Sequence, residues 1–262
     1  MTQELEEQNG RSAGSRIAVI SKAVSVLDAL LAAEEGLTPT EIADAIDTNR
    51  STAFRLLTSL EQTGLLSRDN STGRYRLGMK LLQYGSAVRA GMSIVRIAEP
   101  ILMNLRDDTR QTALLAIREN WGARCLLRLP GPEVDVVSWT TGQWLPMHVG
   151  AAPQVLMSAM EDHEIDKYLN HNKDWHTLHG DRTADDIRDS LAEIRRRGWA
   201  LNVETITRGV ASLGAVVRDR FDTPVCAISV AGLEYHYSGA DLEQTAAKVT
   251  AAAQEISGRL RD

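Results

Sequence analysis

Aromatic side chains are scarce in this 262-residue chain, at 5% with only two phenylalanines, so Leu, Val, Ile and Ala must supply the core volume. Cysteine is nearly absent. Cys125 and Cys226 each lie inside an apolar run, which argues against a disulfide-stapled secreted scaffold and reads as two buried, inert thiols. No stretch approaches the roughly 18 consecutive apolar residues of a membrane helix. The opening MTQELEEQNG is acidic and polar, unlike the basic then apolar start of a signal peptide. These absences lead us to expect a soluble cytoplasmic protein with no membrane partner. There is no Gly-x-Ser-x-Gly elbow, phosphate-cradling glycine loop or His-Glu-x-x-His helix, so an enzyme is not expected, and neither is a cofactor.

The charge is uneven. The formal net charge is -6, which taken alone disfavours a nucleic-acid partner. Residues 1–48 hold 3 Lys/Arg against 9 Asp/Glu, but residues 49–89 hold 7 against 2. A compact basic block inside an acidic chain sets a local potential that the average hides.

Residues 1–15 offer little to bury and read as a disordered leader. From Ser21 to Glu34, Val24, Leu27, Leu30 and Leu31 follow helical spacing, and Gly36 suits the residue after the helix. The next helix start is unusually complete: Thr38 as N-cap, Pro39 at the first helical position, Glu41 closing a capping box, and Leu37 with Ile42 as a hydrophobic staple. That helix runs to about Ile46. Asp47-Thr48-Asn49 leaves room only for a tight turn before a third helix, in which Ala53, Leu56, Leu57 and Leu60 form one buried stripe. Its opposite side carries Ser51, Arg55, Thr58 and Gln62, flanked by Thr52 and Ser59, with no carboxylate. Two helices joined this way, the second with such a face, match a helix-turn-helix whose recognition helix enters the major groove. There arginine grips guanine edges and hydroxyls reach bases or phosphates.

After Gly64, LLSRDNSTGRYRLG reads as a basic hairpin, Leu65–Arg68 and Arg74–Leu77, with Tyr75 and Leu77 on one face and Arg74 and Arg76 on the other. A basic hairpin in this place is the wing of a winged helix-turn-helix. The candidate DNA-binding residues are Thr38, Thr40, Arg50, Ser51, Thr52, Arg55, Arg68, Arg74 and Arg76. The competing reading is a protein-interaction or assembly module attached to a small-molecule-binding protein or an enzyme. It is disfavoured because cap, turn, recognition face and basic wing follow one another in order.

Met79–Ala90 reads as a linker helix with Leu81, Leu82, Tyr84 and Val88 as its apolar residues, either dimerising or packing on its own chain. A second helix spans about Ser93 to Asp108, with a kink or restart expected at Pro100. Strands are expected at 112–118, 123–129, 135–141, 199–203, 209–218 and 223–231, and helices near 153–160, 163–170, 184–197 and 239–260. The last two helices are expected to be capped by Thr183 and Ser238. The fold class is therefore α+β, with helices on an antiparallel sheet following the N-terminal module. The domains read as a leader (1–15), a winged helix-turn-helix (16–78), a linker helix (79–91) and an effector-binding domain (92–262). HNKDWHTLHGD, with His171, His176 and His179, reads as a polar loop in preference to a metal site. Val210 and Ser212 share one strand face, as do Ala227, Ser229 and Ala231. Such small and hydroxyl residues leave room for a ligand. The glycine and alanines of HVGAAP precede a helix whose first amides suit a carboxylate. Trp139 and Trp144 read as packing residues, with stacking on an aromatic ligand as the second reading.

The segments GLTPTEIADAIDTNRSTAFRLLTSLEQTGLLSRDNSTGRYRLGMKLLQYG, LPMHVGAAPQVLMSAM, RRRGWALNVETITRGVASLGAVV and PVCAISVAG resemble, in order and spacing, the IclR family of bacterial transcription factors. The resemblance covers about residues 17–261. It implies a dimer or tetramer on a palindromic operator in double-stranded DNA. It also implies a GAF/PAS-like effector-binding domain that senses a small metabolite, an organic or aromatic acid. The matching pocket positions are Met147, Gly150, Ala151, Val210, Ser212, Ser229 and Ala231, with Glu204 beside them. Asp47-Thr48-Asn49 stands where the family usually has Gly-Leu-Pro, and Asn202 where an acidic residue is common.

Overall fold

The computed structural model describes residues 18–133, 135–171, 176–177, 180–181 and 183–260. The chain divides into two compact units, residues 1–88 and 89–262.

The first unit holds a helix at 18–31, labelled α1, then α2 (Pro39–Ala45), α3 (Arg50–Gln62), β1 (Leu66–Arg68) and β2 (Tyr75–Leu77). Val26, Leu30, Ile42, Leu57, Leu60, Leu66 and Tyr75 form its core. The expected α1 stripe needs correcting. Val26 and Leu30 are buried, with Ala23 and Leu27 packed against them, whereas Val24 and Leu31 are exposed. Both stripes have helical spacing, and only the packing partner selects between them. Ile20, Val24 and Leu31 are left as a second, outward apolar row. Gly36, at φ +75, brings the chain so close to β2 that a Cβ there would lie 2.5 Å from the Tyr75 carbonyl oxygen. Leu37 and Tyr75 exchange backbone hydrogen bonds at that point.

α4 (Met79–Gly91) spans the boundary between the units. It has no buried face among its described side chains: Leu82, Tyr84 and Val88 are each more than half exposed.

In the second unit, α5 (Ser93–Thr109) precedes β3 (Thr112–Glu119), β4 (Gly122–Leu129), β5 (Trp144–Pro146), α6 (Ala151–Ser158) and α7 (Asp162–His171). A two-stranded pair, β6 (His176–Thr177) and β7 (Gly180–Asp181), leads to α8 (Ala184–Arg197), β8 (Ala200–Val203), β9 (Val210–Arg218), β10 (Pro224–Leu233) and α9 (Gly239–Arg259). Six strands make one antiparallel sheet in the order β5-β4-β3-β10-β9-β8. α5 and α9 pack on one face through Leu102, Leu105, Val249 and Ile256. α6, α7 and α8 pack on the other through Val155, Met157, Tyr168, Ile187 and Leu191.

Several expectations need correcting here. Residues 135–141 form no strand. At Val136 side chains take the place of a strand partner: Thr112 Oγ1 accepts from the Val136 amide at 3.2 Å, and Arg128 Nε donates to the Val136 carbonyl at 3.1 Å. The edge strand is instead β5, whose Pro146 is tolerated because it lies at the rim of the sheet. α5 runs unbroken through Pro100, since Val95, Ala98, Ile101, Leu102 and Leu105 hold both halves on the sheet. Thr183 forms its capping box with Asp186, but Ser238 makes no side-chain cap. Its hydroxyl donates to the Tyr235 carbonyl at 3.4 Å, and the chain enters α9 through Gly239 at φ +53. No described helix is long and apolar enough to cross a membrane.

Candidate nucleic-acid interface and effector cavity

The α2–α3 pair is built by local chemistry. The Thr38 hydroxyl accepts from the Glu41 amide at 3.3 Å, and Glu41 Oε2 accepts from the Thr38 amide at 2.7 Å. Asp47 adopts φ +45, the left-handed geometry the turn demands, and the Thr48 amide donates to the Ala43 carbonyl at 3.0 Å. Asn49 caps α3, its Oδ1 accepting from the Thr52 amide at 2.8 Å. An asparagine three residues before a threonine at a helix start signals this cap in the sequence, and our reading missed it.

Ala53, Leu56, Leu57 and Leu60 are the buried residues of α3, as expected. Arg50, Ser51 and Arg55 are exposed and, with Thr40, border a shallow hollow at the start of the two helices. Thr52 is half-buried. In the wing, Arg68 and Arg76 are exposed, and the Arg68 guanidinium lies 5.6 Å from the Tyr75 ring centroid. Arg74 is placed differently from its expected role. Its guanidinium donates to the Gly36 carbonyl at 2.8 Å and to Glu41 Oε2 at 3.1 Å, tying the wing to the start of α2. Glu41 thus serves the cap and the ion pair together, and both hold its carboxyl below the usual carboxylate range, the Thr38 cap more strongly. The wing tip is closed by Asp69, whose Oδ1 accepts from the Ser71 hydroxyl and amide at 2.6 and 2.8 Å. These bonds and those from Thr72 lower its pKa to about 2.

Because the Thr38 hydroxyl is spent on the cap, its removal should act through stability. Thr38→Ala is expected to destabilise the helix-turn-helix unit by about 1 kcal/mol. Thermal denaturation would register this, and a DNA-affinity loss beyond the change in folded fraction would contradict the assignment.

On the sheet face below α6, a small cavity of about 30 Å³ is lined by residues from β3, β8, β9, β10, the start of α6 and the 202–207 loop. Gly150, at φ +83, turns the chain into α6, and the Ala151 amide donates to Ser212 Oγ at 3.3 Å. Gly214 permits this approach: a Cβ there would lie 3.2 Å from the Ala151 carbonyl carbon and the Ala152 nitrogen. The pairing of β10 with β9 sets Ser229 opposite Gly214 and Ala231 opposite Ser212, on one face.

Of the expected pocket residues, the structure brings together Gly150, Ala151, Val210, Ser212, Ser229 and Ala231. Two need correcting. Met147 is fully buried in the core and does not line the cavity. Glu204 does not line it either, because its carboxylate accepts from the Gly209 amide and closes the 204–209 loop. Trp139 does line it, held by Nε1 donating to the Gln143 carbonyl at 3.0 Å, while Trp144 covers Gly122 outside it. The sequence reading missed Leu114, Val136, Ser138, Asn202, Thr205 and Ile206 in the wall. The alternation of β3 offered a signal for Leu114, but the loop residues had none.

Among the described residues the cavity wall contains no Asp, Glu, Lys, Arg or His. Its polar side chains are hydroxyls and one amide, each able to donate a hydrogen bond. Ser229 is 3% exposed, and its hydroxyl makes no hydrogen bond to a described residue, yet it is not sealed off from the cavity. Asn202 is likewise buried. Its Oδ1 accepts from the Thr205 hydroxyl, and its amide nitrogen has no partner among the described residues. Donors open to the cavity in this way suit a ligand oxygen.

Cys125 and Cys226 are free and buried, and burial pushes both thiols up to about 12, so neither is a thiolate nucleophile at neutral pH. Among the described residues no group of His, Cys, Asp or Glu is arranged to hold a metal. His171 ends α7 and His176 lies in β6, while His179 falls outside the described residues.

Comparison with known proteins agrees with this geometry. Residues 19–70 match the IclR helix-turn-helix domain, and residues 86–258 match the C-terminal domain of bacterial IclR transcriptional regulators. The chain is 31% identical over 215 residues to the HTH-type transcriptional regulator Rv1719 of Mycobacterium tuberculosis, covering 81% of each chain. It is 23% identical to the transcriptional repressor IclR of Escherichia coli, covering 94% of this chain and 90% of that one. Among solved structures, an IclR homolog from Microbacterium hydrocarbonoxydans complexed with 4-hydroxybenzoate superimposes with a TM-score of 0.80 at 21% identity. That match covers 92% of this chain and 98% of the other.

Proposed function

The chain belongs to the IclR family of bacterial transcriptional regulators, with an N-terminal helix-turn-helix that binds DNA and a C-terminal effector domain, and from that premise we propose that it is a homo-oligomeric, sequence-specific regulator whose operator affinity is set by a small carboxylic acid. The observation that carries the effector reading is the pair of donors, Ser229 Oγ and the Asn202 amide, that have no partner among the described residues and open on a cavity whose described wall holds no charged side chain. A carboxylate there is met by these donors and by the partial positive charge at the start of α6. The apolar side chains of Leu114, Val136, Trp139, Ile206 and Val210 supply the surface that would face a hydrocarbon or aromatic body. The 4-hydroxybenzoate on the Microbacterium homolog is an acid of this kind.

Arg50, Ser51, Thr52 and Arg55 are assigned to the major groove, and Thr40, Arg68 and Arg76 to the flanking phosphates. A palindromic operator follows from a dimer, or a dimer of dimers. Support for such assembly comes from the outward apolar row of α1 and the unburied apolar residues of α4. The action is regulatory, and no step of catalysis is assigned to any residue.

The test is calorimetric titration of the full chain with small aliphatic and aromatic acids, each paired with its neutral amide. Acids are expected to bind and their amides to bind at least tenfold more weakly, since hydrogen bonds to a charged group are worth about 1.5–3 kcal/mol. Equal binding of acid and amide would refute a carboxylate effector.

A further inference from the structure

Phe54 lies on α3 and is 58% exposed, in a chain with only two phenylalanines. The fold makes little use of its ring, and a ring left in water forfeits the burial free energy it would supply in a core. Its surroundings are specific. Arg50 and Ser51 lie one turn earlier on the helix, Arg55 follows it, and with Pro39 and Thr40 of α2 these residues enclose the shallow hollow at the helix starts. No carboxylate lines that hollow, and neither arginine is paired with a described residue. An apolar ring and two unneutralised arginines lining one hollow suit a partner that is polyanionic and also presents a small apolar group. The major groove of DNA is such a surface, because thymine alone among the bases displays a C5-methyl group there, and phenylalanine is one of the side chains suited to it.

We propose that Phe54 is a specificity-determining residue that reads the 5-methyl group of a thymine in each operator half-site. This rests on the assignment of α3 to the major groove. Arginine and the hydroxyls carry the polar part of the readout, and the Phe54 ring excludes water from the thymine methyl beside them.

The experiment uses the full chain and duplexes that it selects from a random-sequence pool. Each thymine of a selected duplex is replaced in turn by uracil, which removes only the methyl group. Wild-type affinity is expected to fall by about fourfold at one thymine per half-site, the value of one buried methyl-sized group. Phe54→Ala should bind the thymine duplex about fourfold more weakly than wild type and be indifferent to uracil at that position. Phe54→Leu should keep part of the discrimination. Because the ring is exposed, both variants should melt with the wild type. A wild type indifferent to every uracil, or a Phe54→Ala variant that keeps the full uracil penalty, overturns the proposal while leaving DNA binding intact. If no duplex is selected at all, the major-groove assignment fails and this proposal falls with it.

Discussion

Replacing Arg55 by alanine is expected to weaken binding to a selected operator by about 1–3 kcal/mol, between roughly fivefold and 150-fold, and to relax discrimination at one base pair per half-site. The side chain is exposed on the face of α3 opposite its buried leucines and is not paired with any described residue. Its removal therefore leaves the fold untouched, and the loss falls on the complex. Arg76→Ala on the wing should behave differently, weakening all duplexes about equally and reducing the salt dependence by about one phosphate's worth. Competition binding with single-base-pair variants of the operator separates the two. An Arg55→Ala protein with undiminished base discrimination would remove Arg55 from the readout.

Ser229→Phe is expected to abolish the response to the acid effector while operator affinity in its absence stays within about twofold of wild type. Ser229 sits in the middle of β10, between Leu114 on β3 and Gly214 on β9, with its side chain facing the cavity. A phenyl ring there occupies the effector's space. Overpacking costs about 1–3 kcal/mol, which the thermal transition would register. Ser229→Ala keeps the cavity open and removes only the donor, so it should weaken the acid by about 1.5–3 kcal/mol without changing the fold. An unchanged effector response in Ser229→Phe would move the effector site elsewhere. Ligand and operator influence one another only as far as each prefers one arrangement of the assembly over another. The shift in operator affinity therefore also measures the reciprocal shift in effector affinity.

Much of this was readable from the residues, and where it was not, the reasons are physical. The start of α2 was fully legible because Thr38, Pro39, Glu41, Leu37 and Ile42 each signal the same helix start by local chemistry. α3 was legible because its four buried residues leave one stripe only. α1 was misread because it carries two apolar rows with helical spacing, and only Tyr75, Leu57 and their neighbours, distant in sequence, select the row of Val26 and Leu30. Arg74 looked like a free wing cation because its partners, Gly36 and Glu41, come from a loop and a helix end more than 30 residues away. Strand alternation put Val210, Ser212, Ser229 and Ala231 on the faces that line the cavity. Asn202, Thr205 and Ile206 enter through the β8 end and the loop that follows it, where no periodicity exists. Glu204 was drawn away by the Gly209 amide, a bond within its own loop.

The central claim is that α3 and the wing bind a particular DNA sequence electrostatically and specifically. The direct measurement is equilibrium binding of the purified chain to a duplex it selects from a random pool, against a scrambled duplex of equal composition, at two salt concentrations. The account predicts that the selected duplex binds at least about a thousandfold more tightly, and that affinity for both falls steeply as salt rises, as release of counterions from several phosphates requires. Equal affinity for the two duplexes, or binding indifferent to salt, would contradict it.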